Sequence, residues 1–151
     1  MADLDRIDFQ ILKTLVGDGR ISFTRLGEGV GLSAHGAADR VRRLQAAGVI
    51  AGFSVQLDLG HVGRGLDAFI DIRLLSSVDP DDFERGMREL PAVRECVFVT
   101  GRFDYQVRVA CKDTDDLDQT VRALRRSGAA QTETRIAMRT SRPPLSAALD
   151  G

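Results

Sequence analysis

LSAHGAADRVRRLQAAGVI, residues 32–50, is the stretch that decides how the first third of this chain folds. Ser33 suits the N-cap of a helix and Gly48 suits its end, so the stretch predicts a helix from Ser33 to about Ala47. At about 100° per residue, three apolar side chains fall on one face of that helix. We expect them to pack inward: Ala37, Val41 and Leu44.

The opposite face of this helix is polar and carries its basic residues. His35, Asp39 and Arg42 point away from the apolar face, Arg43 flanks them, and Arg40 borders the core. Arginine can bind guanine edges or phosphates, and small side chains near the helix start would allow close approach to DNA. A solvated face with Arg–Asp pairs fits the same pattern. Arg40 in particular fits either a DNA contact or a structural ion pair.

Two helices are predicted before this one. The apolar residues of the first recur at helical spacing: Leu4, Ile7, Ile11, Leu12 and Leu15. Asp3 can cap this helix, Asp5 sits favourably in its first turn, and Gly-Asp-Gly at 17–19 stops it. Ser22 can cap a second, short helix that runs to about Val30.

The second and third helices are joined by a short turn at Gly31. This arrangement is typical of a helix-turn-helix DNA-binding domain, which we expect over residues 1–50. The segment GEGVG, residues 27–31, resembles a phosphate-binding loop, but no strand precedes it and no Lys-Ser/Thr follows. It is better interpreted as the second helix and its turn, although Gly27 and Gly29 should weaken that helix.

From Val49 the apolar period changes to two, which predicts a strand over 49–57. A loop with three glycines follows: Gly60, Gly63 and Gly65. We take residues 51–65, the strand and the glycine-rich loop, as the linker between two domains.

The chain from 66 to 140 alternates strands and helices. Strands are predicted at 66–74, 93–100, 105–111 and 131–140. One helix opens at Pro80, and Asp113 or Thr114 caps another. This βαββαβ order predicts a ferredoxin-like domain, so the fold class is α+β. The helices should cover one sheet face, and a bare second face suggests a partner subunit. Arg142-Pro143-Pro144 ends regular structure, leaving 141–151 as a tail.

Composition and charge narrow the class of protein. The formal net charge is −1, so DNA binding would require basic residues gathered on one surface and more than one copy per site. The acidic N-terminus lacks a secretory signal, and no apolar run approaches the roughly 18 residues of a membrane span. Cys96 and Cys111 lie in strand-like runs without metal-ligand spacing, which favours buried free thiols in a reducing cytoplasm.

The sequence does not favour an enzyme. Only His35 and His61 supply imidazoles, and no nucleophile and base stand together in the pattern. The acidic residues 79–84 coincide with a helix start, where carboxylates favour the helix dipole. We therefore expect no catalytic residue, no metal site and no cofactor.

Several motifs, in one order, resemble the leucine-responsive/asparagine-operon regulator family, called Lrp/AsnC. They are DRID with the following IL (5–8, 11–12), DGRIS (18–22), VGLS (30–33), RVRRLQAAGVI (40–50), GF (52–53), VTGRFDY (99–105) and TETRI (132–136). The resemblance implies a winged-helix-like helix-turn-helix domain, joined to a ferredoxin-like domain that dimerises through its sheet and senses amino acids. Dimers of this family often assemble into tetramers or octamers.

The resemblance also implies an effector site between dimers, near a Gly-x-x-Asp hairpin, with a second ligand-contacting segment on the last strand. The implied effector residues are Thr100, Gly101, Arg102, Phe103, Asp104, Tyr105, Thr132 and Thr134. Backbone N–H groups at the Gly turn can hold an α-carboxylate, and Asp104 or a threonine hydroxyl can hold an α-ammonium. The candidate DNA-binding residues are Ser22, Arg25, Ser33, His35, Asp39, Arg40, Arg42 and Arg43.

The chain departs from the family pattern in two places. Arg102 stands where an acidic residue is frequent, which leaves the effector unnamed. The small residues 36–38 replace a proline and bulkier residues, which leaves the DNA sequence unnamed. The leading hypothesis is a homo-oligomeric transcription regulator that binds double-stranded DNA and responds to an amino acid. The alternative is a nucleoid-organising protein without an effector.

Overall fold

The computed structural model describes residues 3–149 and separates into two compact units. The first runs to Gln56 and takes up the chain again from Ser141; we call it the helical unit. The second, Leu57–Thr140, is called the sheet unit. The chain therefore passes between the two units twice, once after Gln56 and once before Ser141.

The described α-helices of the helical unit are α1 (Arg6–Gly17), α2 (Phe23–Val30) and α3 (Ala34–Ala46). As predicted, Ser22 and Ser33 cap α2 and α3; their hydroxyls accept the backbone N–H of Arg25 at 3.3 Å and of Gly36 at 3.1 Å. Gly31 ends α2 in the left-handed conformation, with φ 74°. The buried core is formed by Ile11, Leu12, Leu26, Ala37, Val41 and Leu44. The apolar face predicted for α3 is thus the face that packs.

The cap of α1 differs from the prediction, since Asp5 rather than Asp3 is the N-cap. The Asp5 carboxylate accepts the backbone N–H of Asp8 at 2.8 Å, and the Asp8 carboxylate accepts that of Asp5 at 3.2 Å. Such a reciprocal capping box needs an acceptor side chain three residues after the cap. Asp5 has one in Asp8, whereas the residue three positions after Asp3 is Arg6.

Gly27 lies where α2 approaches the turn that precedes α3. A Cβ atom on Gly27 would lie 2.6 Å from the carbonyl oxygen of Leu32 and 2.9 Å from that of Ser33. A Cβ atom on Gly29 would have no atom within 4 Å. The close helix–turn contact therefore requires a glycine at position 27, and the structure places no such requirement on position 29.

We expect Gly27→Ala and Gly29→Ala to have opposite effects on stability. Gly27→Ala should lower the free energy of unfolding by about 1–3 kcal/mol, because the added methyl group overlaps backbone atoms. Gly29→Ala should raise it by up to about 1 kcal/mol, because alanine is the better helix former. Urea denaturation followed by far-ultraviolet circular dichroism measures both. Stabilisation by both substitutions would contradict the close approach at Gly27.

The predicted strand at 49–57 is absent from the described chain. Its alternate apolar side chains point outward: Phe53, Val55 and Leu57 are 52%, 81% and 65% exposed. A strand needs a hydrogen-bonded neighbour, and residues 3–149 supply none for this segment. The prediction of a strand over 49–57 is therefore wrong, and the segment leads into a turn at Leu59–Gly63.

The sheet unit has the predicted βαββαβ order and confirms the α+β, ferredoxin-like fold class. Its elements are β1 (Leu66–Leu74), α4 (Pro80–Arg88), β2 (Val93–Phe98), β3 (Tyr105–Cys111), α5 (Thr114–Arg126) and β4 (Ala129–Ile136). The strands form one antiparallel sheet in the order β2-β3-β1-β4. β2 ends before the predicted Thr100, and β4 begins before Gln131 and ends before Thr140.

One sheet face packs on the helices, and the other is mostly polar, with Phe69 and Val97 among its charged side chains. The core includes Ile70, Ile72, Phe83, Met87 and Val107. On the other face, the guanidinium of Arg108 donates two hydrogen bonds to Asp67, at 3.0 and 2.5 Å. Asp71 accepts a hydrogen bond from Gln106 at 3.0 Å and pairs with Arg135. That a partner subunit covers this polar face remains a prediction.

Two smaller predictions are corrected. Cys111 is buried as expected, but Cys96 is exposed, because it lies on the edge strand β2. Regular structure also continues past Arg142: Leu145–Leu149 form a 3₁₀ helix that contacts α1. The side chain of Leu149 packs against the core of the helical unit, so this part of the expected tail is docked.

Candidate DNA-binding surface and effector site

The outward face of α3 carries three linked polar side chains. His35 Nε2 lies 3.2 Å from one carboxylate oxygen of Asp39, and Arg42 binds the other. The hydrogen bond from Arg42 lowers the pKa of the Asp39 carboxyl. Asp39 is therefore ionised at neutral pH, and a DNA phosphate would have to compete with it for Arg42.

Arg40 lies on the side of α3 that faces α1. Its Nη1 donates to Asp5 at 2.6 Å and to Asp8 at 2.9 Å, and its side chain is 23% exposed. The hydrogen bond from Arg40 is the main cause that lowers the pKa of Asp5. Stability contributed by this carboxylate is present at neutral pH and lost as the pH falls through the lowered pKa. Of the two roles left open for Arg40, the structure supports the ion pair.

Asp8 joins α1 to α3 at a second arginine. Its carboxylate is buried, with 1% of the side chain exposed, and Arg43 Nη2 lies 3.2 and 3.3 Å from its two oxygens. Arg43 itself is 62% exposed. A buried carboxylate is stable only when its oxygens are satisfied, and here the Asp5 N–H, Arg40 and Arg43 satisfy them. The sequence did not indicate this role of Asp8, because its two arginine partners lie 32 and 35 positions away.

The remaining candidate residues near α3 are of two kinds. Ser22 and Ser33 use their hydroxyls as helix caps. Arg25, exposed on α2, has no side-chain partner among residues 3–149. A positive charge without a carboxylate partner is free to bind phosphate. Arg25 is therefore more available than Arg40 for contact with a DNA phosphate.

In the sheet unit, the hairpin between β2 and β3 presents Gly101 with φ 117°, a conformation that favours glycine. Asp104 anchors the hairpin to β1: its N–H donates to the carbonyl of Ile72 at 2.8 Å, and its carboxylate accepts the N–H of Leu74 at 2.8 Å. The guanidinium of Arg102 lies 5.2 Å from the ring centre of Phe103. Asp104 is thus a structural residue whatever else it binds.

Two further proposed effector residues, Tyr105 and Thr132, lie in one row across the sheet, because both pair with Ile72. Tyr105 is buried, and its hydroxyl donates to Glu84 at 2.9 Å; burial followed by this hydrogen bond raises the pKa of the phenol. Thr132 accepts two hydrogen bonds from Arg125 of α5, at 3.2 and 2.9 Å.

Thr134 is two positions further along β4, opposite Ile70, and is exposed. Thr100 and Gly101, before and within the hairpin, are exposed as well. The hairpin residues therefore lie together at one end of the sheet. Thr132 lies near the same end, because it pairs with Ile72, the β1 residue that also pairs with Tyr105.

Comparison with known protein families matches both units. A model of the AsnC-type helix-turn-helix domain matches residues 4–45, and a model of the Lrp/AsnC ligand binding domain matches residues 67–145. The second match alone spans more than half of the chain. The chain belongs to the Lrp/AsnC family.

Relatives of this Lrp/AsnC protein are bacterial regulators. The HTH-type transcriptional regulator AldR of Mycolicibacterium smegmatis is 40% identical over 121 residues, which are 79% of this chain and 71% of AldR. The leucine-responsive regulatory protein of Escherichia coli K12 is 37% identical over 143 residues, 90% of this chain and 85% of that protein. A solved transcriptional regulator of Neisseria meningitidis, in complex with L-methionine, has a TM-score of 0.87 at 27% identity and covers 95% of each chain.

The Lrp/AsnC chain has one residue at its proposed effector site that the motifs did not indicate, Arg125. Its Nε and Nη2 groups both point at the Thr132 hydroxyl, and no carboxylate partner is found for it in residues 3–149. This pair of N–H groups is the edge with which arginine binds a carboxylate. No signal in the sequence distinguishes it from the adjacent exposed Arg126.

Within the described part of the chain, no helix is long and apolar enough to cross a membrane. No group of three or more His, Cys, Asp or Glu side chains in that part is arranged to hold a metal ion. Although Cys96 is an exposed residue, partial desolvation of its thiol and the charge of Glu84 raise the pKa of that thiol to about 11.

Proposed function

We propose that this chain is a DNA-binding transcription regulator whose DNA binding or assembly responds to an amino acid. One observation carries the proposal. The outward side of α3 bears basic side chains on an AsnC-type helix-turn-helix unit, and the same chain continues into an Lrp/AsnC ligand binding domain. Double-stranded DNA would bind the helix-turn-helix unit, and the amino acid would bind the ligand binding domain.

The charges on the helical unit favour binding by more than one subunit. Arg42 shares its charge with Asp39, and Arg40 and Arg43 share theirs with Asp8, so one copy offers few free cations. Two copies of α3 placed in successive major grooves would double the number of phosphate contacts. A homodimer, or an assembly of dimers, is therefore part of the proposal.

The effector site proposed here combines the hairpin with Arg125. The relative from Neisseria meningitidis was solved with L-methionine, which supports an α-amino acid as the class of ligand. In this chain Arg125 would bind the α-carboxylate in place of the Thr132 hydroxyl. The carboxylate oxygens of Asp104 would accept the α-ammonium group.

Substitution of Arg42 tests the DNA-binding face. We expect Arg42→Ala to weaken binding to a duplex selected from a random library by about 5- to 100-fold, because a base or phosphate contact is lost. Loss of a phosphate contact would also lower the salt slope by about one. Fluorescence anisotropy at several salt concentrations measures both quantities.

Arg122→Ala is the matched control for that experiment. Arg122 is an exposed arginine of α5 in the sheet unit, and it pairs with Asp118 at 2.7 Å, so its loss changes the net charge equally. We expect DNA affinity within about twofold of the unsubstituted chain. Unchanged affinity for both Arg42→Ala and Arg43→Ala would contradict the assignment of this face.

A nucleoid-organising protein without an effector is the second candidate. The start of α3 presents small side chains at residues 36–38, and Asp39 is held by its own neighbours, so few groups are free to read bases. Such a protein would bind the selected duplex and a random duplex with nearly equal affinity.

A further inference from the structure

The C-terminal segment links the proposed effector strand to the DNA-binding helices by a short route. β4 contains Thr132 and Thr134, and it ends at Ile136. Four residues later the chain leaves the sheet unit, and by Leu145 it has entered the 3₁₀ helix of the helical unit. Residues 141–144 join Thr140, the last residue of the sheet unit, to the 3₁₀ helix; we call this segment the strap.

The sheet-unit end of the strap is anchored. The backbone N–H of Ala137 donates to the carbonyl of Asp67 at 2.9 Å. The hydroxyl of Thr140 donates to the carboxylate of Asp67 at 3.3 Å and accepts from Arg108 at 3.3 Å. The chain is therefore held to β1 and β3 up to the residue before the strap.

The other end of the strap is anchored on α1. The N–H of Ala147 closes a turn on the carbonyl of Pro144 at 3.1 Å, and the 3₁₀ helix contacts α1. Leu149 packs against the core of the helical unit, whereas Leu145 is 72% exposed. Leu149 is thus the apolar anchor of the segment, and Leu145 offers a comparison residue of the same type.

The strap is short and stiff. It reads Ser-Arg-Pro-Pro, and consecutive prolines hold a chain in an extended conformation that rises about 3.1 Å per residue. A flexible linker of the same ends would absorb a displacement, whereas an extended proline segment transmits it. If the end of β4 moves, the strap therefore moves the 3₁₀ helix with it, because the strap cannot change its length easily.

The helix on which the segment docks is also the one that holds α3. Asp8 of α1 binds Arg40 and Arg43 of α3 through its buried carboxylate. A displacement of α1 therefore changes the support of the helix that faces DNA. A physical route runs from β4 through the strap and α1 to α3.

We propose that the strap and its docked 3₁₀ helix couple the effector site to the DNA-binding helices. This inference rests on the proposed function, because it assigns a route to the response that the function requires. Allosteric couplings typically change affinity by about 5- to 150-fold, and the strap would carry most of that change. The route is a mechanical connection within one chain. It is therefore tested by making the strap flexible while the 3₁₀ helix stays docked on α1.

The test inserts six residues of Gly and Ser between Arg142 and Pro143. Lengthening a flexible connection has a small entropic cost, so Leu149 should stay docked and the melting temperature should stay unchanged. DNA affinity is measured with and without an equimolar mixture of the twenty common amino acids. We expect the amino-acid effect on affinity to fall below about twofold in the insertion variant, while a thermal shift with the mixture shows that binding to the sheet unit is retained.

Leu149→Asp and Leu145→Asp form a matched pair for the same measurement. Leu149→Asp should undock the segment, lower the melting temperature and remove the amino-acid effect, and Leu145→Asp should behave as the parent chain. An insertion variant with the full amino-acid effect would overturn the strap while leaving the proposed function standing. If the amino-acid mixture changes neither the DNA affinity nor the melting temperature of the unsubstituted chain, both the strap and the proposed function are overturned.

Discussion

Asp8→Ala is expected to lower the free energy of unfolding of the helical unit by about 2–3 kcal/mol. Removal of one partner from a buried ion pair costs about 3–5 kcal/mol, because the remaining charge is left without compensation. The value is smaller here, since Arg43 is 62% exposed and Arg40 23% exposed, so both can be partly hydrated. Loss of the reciprocal cap at Asp5 adds to the effect.

Asp39→Ala is the control for Asp8→Ala. Both substitutions remove an aspartate that binds an arginine of α3, but the Asp39 side chain is 55% exposed. We expect faster hydrogen exchange throughout α1 and α3 in the Asp8 variant, and no such change in the Asp39 variant. The Asp8 variant should also bind DNA more weakly, because α3 loses its support. Equal exchange rates in the two variants would show that Asp8 does not hold these helices together.

Asp104→Asn is expected to abolish the response to amino acids while preserving the fold. The amide oxygen of asparagine can still accept the N–H of Leu74, so the hairpin keeps its anchor on β1. The negative charge is lost, and with it the attraction for an α-ammonium group. We expect no thermal shift with the twenty amino acids, against a clear shift for the unsubstituted chain.

Asp104→Ala separates the two roles of this residue. It removes the acceptor as well as the charge and leaves the part-buried N–H of Leu74 unpaired, which should cost about 1–3 kcal/mol of stability. The comparison of both variants by thermal denaturation shows which effects are structural. A normal thermal shift with amino acids in Asp104→Asn would place the ammonium group elsewhere.

Periodicity was enough to predict most of the elements. The faces of α1 and α3 and the inward residues of β1 follow from residues at fixed local spacing, such as Ala37, Val41 and Leu44. The serine caps were predicted for the same reason, since Ser33 binds a backbone N–H three residues away. These interactions are local, and local sequence specifies them.

Interactions between distant parts of the chain were harder to predict. Asp8 meets Arg40 across 32 positions, and Asp104 meets Leu74 across 30, so neither pairing leaves a signal in a local pattern. The pattern presented Asp8 only as the last residue of the DRID motif. It placed Arg42 outward with Arg43 beside it and left Arg40 between a DNA contact and an ion pair, but it did not identify their carboxylate partners, which are Asp5 and Asp8 for Arg40, Asp39 for Arg42 and Asp8 for Arg43.

The segment 49–57 shows a different kind of error. Its alternating pattern was identified correctly, but the strand predicted from that pattern does not form. Phe53, Val55 and Leu57 alternate as in a strand, but a strand also needs a neighbour to accept its hydrogen bonds. The docking of Leu149 could not be predicted either, since the two prolines before it are typical of the end of a structured region.

The most direct test of the proposed function compares two duplexes, one selected by this protein from a random library and one of random sequence, with and without the amino-acid mixture. Fluorescence anisotropy at fixed salt gives the four affinities. A specific, amino-acid-responsive regulator should bind the selected duplex about 10³-fold or more tightly than the random one. The mixture should change its affinity for the selected duplex by at least about fivefold. Affinities within a few-fold of each other in all four measurements would contradict the account and would fit a nucleoid-organising protein instead.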